Sequence, residues 1–357
     1  MNLFSKLTRR KALETPAPRF ARFERQMLES PYGQGPLDAA TTDEMERDSM
    51  VQTALTVKRL GVLAAPWHLN DDGSPEGKRR REFVQEAFAR MEGSPDTLLG
   101  AAMDAFSRGW SVQELVYEEA NGRIWLKAAL PQDPSRFALE LDPVGGLAAL
   151  RLELPGEEPR RLDPAKFAIY RHRPGYGRPR GLSDLEAALP HWRAKGELSD
   201  AWAQHLRKFA SPTVVGKFAR TVTAAEQESL FSALRNLARN RVVVHPDDVE
   251  ITRFGGDEGG GAGFLEAIEF HNREIARAIL GQTLATDEGR RVGSLALGKV
   301  HLQVMLLQLE AIRRELADSV MTEQVIRPLI ELNFGPGPIP RFEFERSQVE
   351  AFATGKI

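Results

Sequence analysis

The chain has 357 residues, 42% of them hydrophobic, 27% charged, none of them cysteine, and a formal net charge of −2. That length buries a sizeable core or divides into two or three subdomains. The balanced charge carries no global nucleic-acid signature, and the missing thiols exclude disulfides, thiolate metal sites and cysteine nucleophiles.

No apolar stretch approaches the roughly 20 residues of a membrane span. The opening MNLFSKLTRRKALETPAPRF has no apolar signal core, so a cytoplasmic site of synthesis is expected. Residues 1–45 start basic and become rich in Pro, Gly and Asp, with one short helix expected near Arg19–Leu28. A disordered tail and an arm that orders against a neighbouring subunit both fit this composition.

From Asp43 to Ala65 the apolar spacing of Met50, Val51, Leu55, Val57, Leu60 and Val62 predicts one helix, capped by Thr41 or Thr42. PWHLNDDGSPEG breaks it. Two further helices are expected over Pro75–Arg90 and Pro95–Ser107, with Phe83, Ala87 and Phe88 on the first stripe and Leu98, Leu99, Ala102, Met103 and Phe106 on the second.

The period then changes to two. GWSVQELVYEEANGRIWLKAALP alternates about an Asn-Gly turn at 121–122, which is a hairpin signal. Phe137–Leu141, Leu147–Leu154 and Lys166–Arg171 continue as short strands, giving a small antiparallel sheet or open barrel. After RPGYGRPRG, Ser183 caps a long helix over Asp184–Phe209, with Pro190 as a kink candidate. Strands at 211–218, 241–245 and 250–254 and a helix over Thr223–Arg239 form a compact α/β insertion.

GGDEGGGAG at 255–263 reads as a hinge before a helix over Phe264–Leu280. It lacks the context of a phosphate-binding loop. Leu295–Leu332 is one very long helical pattern, with a bend near Pro328 and RFEFE at 341–345 as a last strand. Its Glu310, Arg313, Arg314, Glu315 and Asp318 form mixed-sign faces suited to ion pairs between subunits.

No catalytic set stands out. The seven histidines, His68, His172, His191, His205, His245, His271 and His301, form no i, i+4 pair, and GLSDL lacks nucleophile-elbow spacing. His271 and His301 flank a charged segment with Glu266, Glu269 and Glu274 nearby; packing histidines are favoured over a metal site there. That segment lies within ILGQTLATDEGRRVGSLALGKVH, residues 279–301. It carries Asp287, Glu288, Arg290 and Arg291 between the swivels Gly289 and Gly293. A ligand loop, a lid, a channel-facing loop and a solvated surface loop all fit.

Several spaced words bear a resemblance. FHNREIARAILGQTLATDEG…GSLALGKVHLQV, SRGWSVQELVYE at 107–118, RPRGLSDLEAALPHWRAKG at 178–196, the 202–218 segment and VIRPLIELNFG at 325–335 resemble Mu-like bacteriophage portal proteins. The resemblance spans most of residues 50–345. It implies the α+β portal fold, here with a crown reduced or absent because little follows Glu345. An N-terminal arm (1–45) precedes the wing (46–180, closed by a strand within 335–357). A first stem helix (181–210), the clip (211–258), a second stem helix (259–281), a tunnel loop (282–296) and a long helix (297–334) complete it.

The resemblance also implies a ring, a dodecamer in the family, at one capsid vertex of the virion, assembled in the host cytoplasm. Double-stranded DNA would pass through the channel without catalysis by this chain, and no cofactor or metal is implied. Thr286, Asp287, Glu288, Arg290 and Arg291 would face the DNA. Lys217, Arg220, Arg235, Arg239 and Arg241 in the clip would dock the large terminase subunit and the head–tail adaptor. The major capsid protein is a further implied partner, with scaffold as another candidate. Two other readings stand beside this one: a different structural head or tail protein, and a hydrolase built on the histidines and carboxylates near residues 279–301.

Overall fold

The computed structural model describes residues 37–142, 147–175, 178–209, 213–216, 223–229, 231–232, 251–254, 260–282 and 295–345. The chain forms two compact units. One comprises residues 1–189 and 274–357, the other residues 190–273. Both mix helices with small antiparallel sheets.

The first unit starts with two helices where one was expected: α1 (Ala39–Glu46) and α2 (Ser49–Leu63). The aspartates explain the division. Asp38 accepts from Thr41 N–H, and Asp48 accepts from the N–H groups of Met50 and Val51. An aspartate that caps a helix start competes with helix continuation, so Asp38 and Asp48, not Thr41 or Thr42, set the boundaries. Val51, Ala54, Leu55 and Val62 bury one face of α2, each large side chain contributing about 1.5–3 kcal/mol.

The segment 66–70, read as a break, contains strand β1 (Trp67–Asn70). Then α3 (Pro75–Arg90) and α4 (Pro95–Ala102) begin at Ser74 and Ser94, each followed by proline at the first helical position. The expected Pro95–Ser107 helix stops early. Ser111 Oγ donates to the Ala102 carbonyl at 2.8 Å, and Phe106 N–H turns to Met103 O. The last turn, α5 (Ala105–Arg108), is therefore separate.

The hairpin is β2 (Trp110–Ala120) and β3 (Arg123–Gln132). Asn121 and Gly122 adopt φ of 55° and 68°, the left-handed pair that this two-residue turn demands. Strands β4 (Phe137–Leu141), β5 (Leu147–Leu152), β6 (Arg160–Leu162) and β7 (Phe167–Arg171) follow. They build two three-stranded sheets, ordered β3-β2-β7 and β4-β5-β6, in place of one sheet or barrel. Trp110, Val112, Ile169 and Phe167 of the first sheet share a buried cluster with Phe137 and Leu150 of the second.

Helix α6 covers Asp184–Phe209 and runs into the second unit. There β8 (Thr213–Gly216) pairs antiparallel with β9 (Ile251–Phe254), and positions 224–229 and 231–232 are helical. The expected strand at 241–245 lies outside the described residues. Helix α7 spans Gly260–Leu280, beginning four residues before the expected start at Phe264. Glycine is a poor helix former, but an amphipathic helix from Phe264 onward extends back through Gly260.

A continuous helical run from Leu295 to Phe334 returns across the first unit: α8 (Leu295–Glu315), a π-helical segment (Leu316–Ile326) and α9 (Arg327–Phe334). The departure from α geometry therefore precedes Pro328, where a bend was expected. A wider turn relieves the clash of a proline ring with the carbonyl four residues back.

This run fastens the sheets through three polar side chains. The Gln324 amide bonds both backbone groups of Ile169 on β7, at 2.7 and 2.9 Å. The Asn333 amide does the same to Ile124 on β3, at 2.9 and 2.8 Å. Both outer edges of the β3-β2-β7 sheet are thereby given a side-chain partner, which blunts them against stray pairing. Thr322 Oγ1 accepts from Phe342 N–H and so holds β10 (Arg341–Phe344). The expected last strand pairs with β1, Trp67 opposite Phe344, and joins neither three-stranded sheet.

The mixed-sign face of the long helix also works differently from expectation. Arg313 is buried, and its guanidinium donates to the carbonyls of Gly61 and Val62 at the end of α2, where a cation suits the helix dipole. Glu315 accepts from Tyr170 within the same chain. Glu310, Arg314 and Asp318 are exposed and keep the surface character that was read for the group, with Glu310 and Arg314 paired to each other.

Candidate functional site

Two of the spaced words meet at the start of α6. Gly109, which ends α5, and Gly181, just before α6, adopt φ of 81° and 97°. The chain passes so closely here that a Cβ on Gly181 would lie 2.3 Å from Gly109 O and 2.5 Å from His172 O. His172 N–H donates to Gly109 O and Leu182 N–H to His172 O, both at 2.8 Å. Ser183 Oγ donates to Ser107 O at 2.5 Å and accepts from Leu185 N–H, so it caps α6 while tying it to residues 107–109. Gly181→Ala is expected to destabilise the fold by roughly 3 kcal/mol or more, because the strained φ and the backbone clash add. A thermal melt shows it.

Asp184, the first residue of α6, is the centre of a buried polar cluster. Lys58 Nζ lies 2.5 Å from its Oδ2; Arg173 Nη2 and His172 Nε2 lie 2.7 and 3.2 Å from its Oδ1. Tyr170 O–H reaches Glu315 Oε2 at 3.2 Å and lies 3.4 Å from His172 Nδ1. Burial pushes the Asp184 carboxyl up, but the hydrogen bond from His172 and the Lys58 charge outweigh it and hold it below its ordinary value. Burial draws Lys58 down against the attraction of Asp184. It also lowers His172, so this ring is neutral at pH 7, with its proton on the nitrogen that faces the carboxylate. The cluster is an ion pair braced by a neutral histidine. It joins α2, the β7 end and α6.

The other side of Lys58 faces the elements that bound residues 283–294. Lys58, Leu280, Met305, Gln308, Leu309 and Ile312 line a small cavity. Gly281 ends α7 with φ 72°, and a Cβ there would lie 2.6 Å from Gln308 Nε2. Gln282, buried, points its amide at Met305 Sδ at 3.5 Å. Ile275, Ala276, Ile279 and Leu280 bury the end of α7 in the core. The segment that carries the paired arginines thus leaves from an anchored helix end.

The sequence-predicted site residues themselves, Thr286, Asp287, Glu288, Arg290 and Arg291, lie outside the described residues. So do Lys217, Arg220, Arg235, Arg239 and Arg241. Among the described residues there is no group of three or more His, Asp or Glu side chains that could hold a metal ion. His271 faces His191, and the His301 side chain lies outside the described set. Sequence reading missed the Asp184 cluster, although a signal existed: Lys58 falls on the buried stripe of α2 with Val51, Ala54, Leu55 and Val62. A lysine on an apolar stripe requires a carboxylate partner.

The sequence profile described as "Portal protein of Mu bacteriophage" matches residues 39–354. The chain belongs to the Mu portal protein family. Among its relatives, Mu-like prophage FluMu protein gp29 of Haemophilus influenzae is 27% identical over 328 residues, covering 88% of this chain and 61% of gp29. The portal protein of Escherichia phage Mu is 27% identical over 296 residues, covering 82% of this chain and 56% of that protein. The chain therefore spans less than two thirds of the length of these curated relatives. A chain from the virion of a native gene transfer agent particle shares the fold with a TM-score of 0.66 at 15% identity, over 90% of this chain and 88% of its own length. A chain from the neck of the native particle, computed with C12 symmetry, does so with 0.59 at 15% identity, over 90% and 89%. In this portal family member, the Gly109–Gly181 crossing and the Asp184 cluster set where the first long helix starts, and the Gly281–Gln308 contact sets where the second ends.

Proposed function

We propose that this protein assembles as a closed ring at one vertex of a phage head and passes double-stranded DNA through its central channel during packaging and ejection. The family match over residues 39–354 carries this reading, and the portal protein of phage Mu supports it. The C12 neck in which a similar fold occurs favours twelve subunits. Such a ring needs a heterologous interface whose rotation closes. Residues 46–180 with 335–345 form the wing, α6 and α7 the stem, residues 211–258 the clip, and residues 282–296 the tunnel loop.

The action is physical. Phosphate contacts dominate DNA affinity irrespective of sequence, so a lining that lets DNA slide needs few and mobile cations. Arg290 and Arg291 supply them, and Asp287 and Glu288 limit the attraction. The clip residues Lys217, Arg220, Arg235, Arg239 and Arg241 dock the packaging motor, which hydrolyses ATP, and later the head–tail adaptor. The capsid protein surrounds the wing, and the finished ring resides in the virion.

Negative-stain microscopy of the purified chain tests the assembly: rings with a DNA-wide hole are expected, and a compact monomer with measurable hydrolytic turnover overturns the reading. The double substitution Arg290→Ala with Arg291→Ala is expected to leave rings intact and to lower the DNA packaged or retained per particle. Unchanged packaging removes the role given to these two arginines.

A further inference from the structure

In the second unit, α6 and α7 bring His191 and His271 face to face. Their Nδ1 atoms lie 3.1 Å apart, and their ring centroids 5.4 Å apart at 44°. Phe270 packs edge-on to both rings, at 6.2 and 5.2 Å. Both histidines are half-buried, so solvent ions can reach them.

Each Nδ1 carries either a proton or a lone pair. Two lone pairs at this distance repel and two protons collide, so one electrophile must sit between them: a single shared proton or a metal ion. With metal–nitrogen bonds of 2.0–2.1 Å, two adjacent ligands on one ion stand about 2.9–3.4 Å apart for bond angles between 90° and 110°. The observed separation falls inside that window without any movement of the helices. Metal sites between facing helices of a bundle are built from such inward pairs.

We propose that His191 and His271 form a cross-helix clip for a divalent transition metal, with zinc, nickel or copper preferred over magnesium or calcium because both ligands are imidazoles. No third protein ligand is placed there among the described residues, so water fills the remaining positions and the site is open. The bound ion fastens α6 to α7, and it competes with protons because imidazole binds metal only when neutral. The inference rests on this pair alone and stands whether or not the chain acts as a portal.

The untagged full chain, stripped with chelator, is titrated with zinc chloride near neutral pH by calorimetry. One ion per subunit is expected. Affinity is expected to fall by about tenfold or more in His191→Ala and in His271→Ala, as losing a ligand costs at least as much as losing its orienting partner. His205→Ala, on the same helix as His191, should bind as the parent does. Zinc is also expected to raise the melting temperature of the unaltered protein, and adding chelator is expected to abolish that effect; this readout needs no variant to fold. Absence of saturable binding, or equal binding by both alanine variants and the parent, overturns the site and leaves a hydrogen bond with adventitious ions only.

Discussion

Asp184→Asn is expected to lower the unfolding free energy by about 3–5 kcal/mol, the usual cost of removing one partner from a buried ion pair. Asparagine keeps the shape but leaves the Lys58 ammonium buried without a counter-charge; the Lys58 side chain is only 9% exposed and Asp184 1%. The half-exposed Arg173 recovers by turning to solvent, so Lys58 dominates the loss. Adding Lys58→Met to Asp184→Asn should restore much of it, since the orphaned charge is gone. Urea denaturation measures both, and an Asp184→Asn loss below about 1 kcal/mol would contradict the buried pair.

The same cluster sets a pH dependence. The folded-state pKa of His172 is below its ordinary 6.5, so the unfolded chain takes up that proton first. The stability of the neutral ring is complete above 6.5 and is lost as pH falls through the lowered value. Asp184, also lowered from 3.8, adds a second loss at more acid pH. His172→Gln should flatten the first decline, and it should also shrink the second to the extent that the His172 hydrogen bond lowers Asp184.

Arg80→Met is the second large effect. Arg80 is 1% exposed. Its guanidinium donates to the carbonyls of Gly335, Pro336 and Pro338 at 3.3, 3.1 and 3.3 Å, and to Glu76 at 2.5 Å. A Cβ on Gly337 would lie 2.4 Å from Nη2, so the turn wraps closely round the cation. Methionine fills the space of the stem but donates nothing. Three carbonyls lose their partner at about 1–3 kcal/mol each if they stay buried, so a total of about 3–5 kcal/mol is expected. The turn delivers β10 to β1, so hydrogen exchange should show Phe342 and its neighbours opening first. Uniform loss across the whole unit would argue against a local clamp.

Much of this fold was legible residue by residue. The change from helical to alternating period at Trp110, the Asn121–Gly122 turn and the Ser183 cap all appear where the chain has them, because each acts within a few residues of itself. Helix starts were less legible. Asp48 splits a pattern whose apolar periodicity runs on unbroken, and Gly260–Gly263 join a helix that propensity alone would end. The paired amides of Gln324 and Asn333 had no local signal, since their partners are 155 and 209 positions away. The candidate site divides the same way. The charged segment with Arg290 and Arg291 was visible as composition between two helices, whereas the cluster that anchors its surroundings was not.

The sequence by itself determined most of the helices and strands, where the Asn121–Gly122 turn falls, and that the chain carries the spaced words of a portal family. Those properties rest on short-range forces: capping, side-chain periodicity and glycine's access to positive φ. Only the tertiary structure decided that Asp184 neutralises Lys58, that Arg341–Phe344 pairs with Trp67–Asn70, and that His191 meets His271. A buried charge or a strand edge can be satisfied by any of several distant groups of the right chemistry, and it is the packing of the whole unit that selects one.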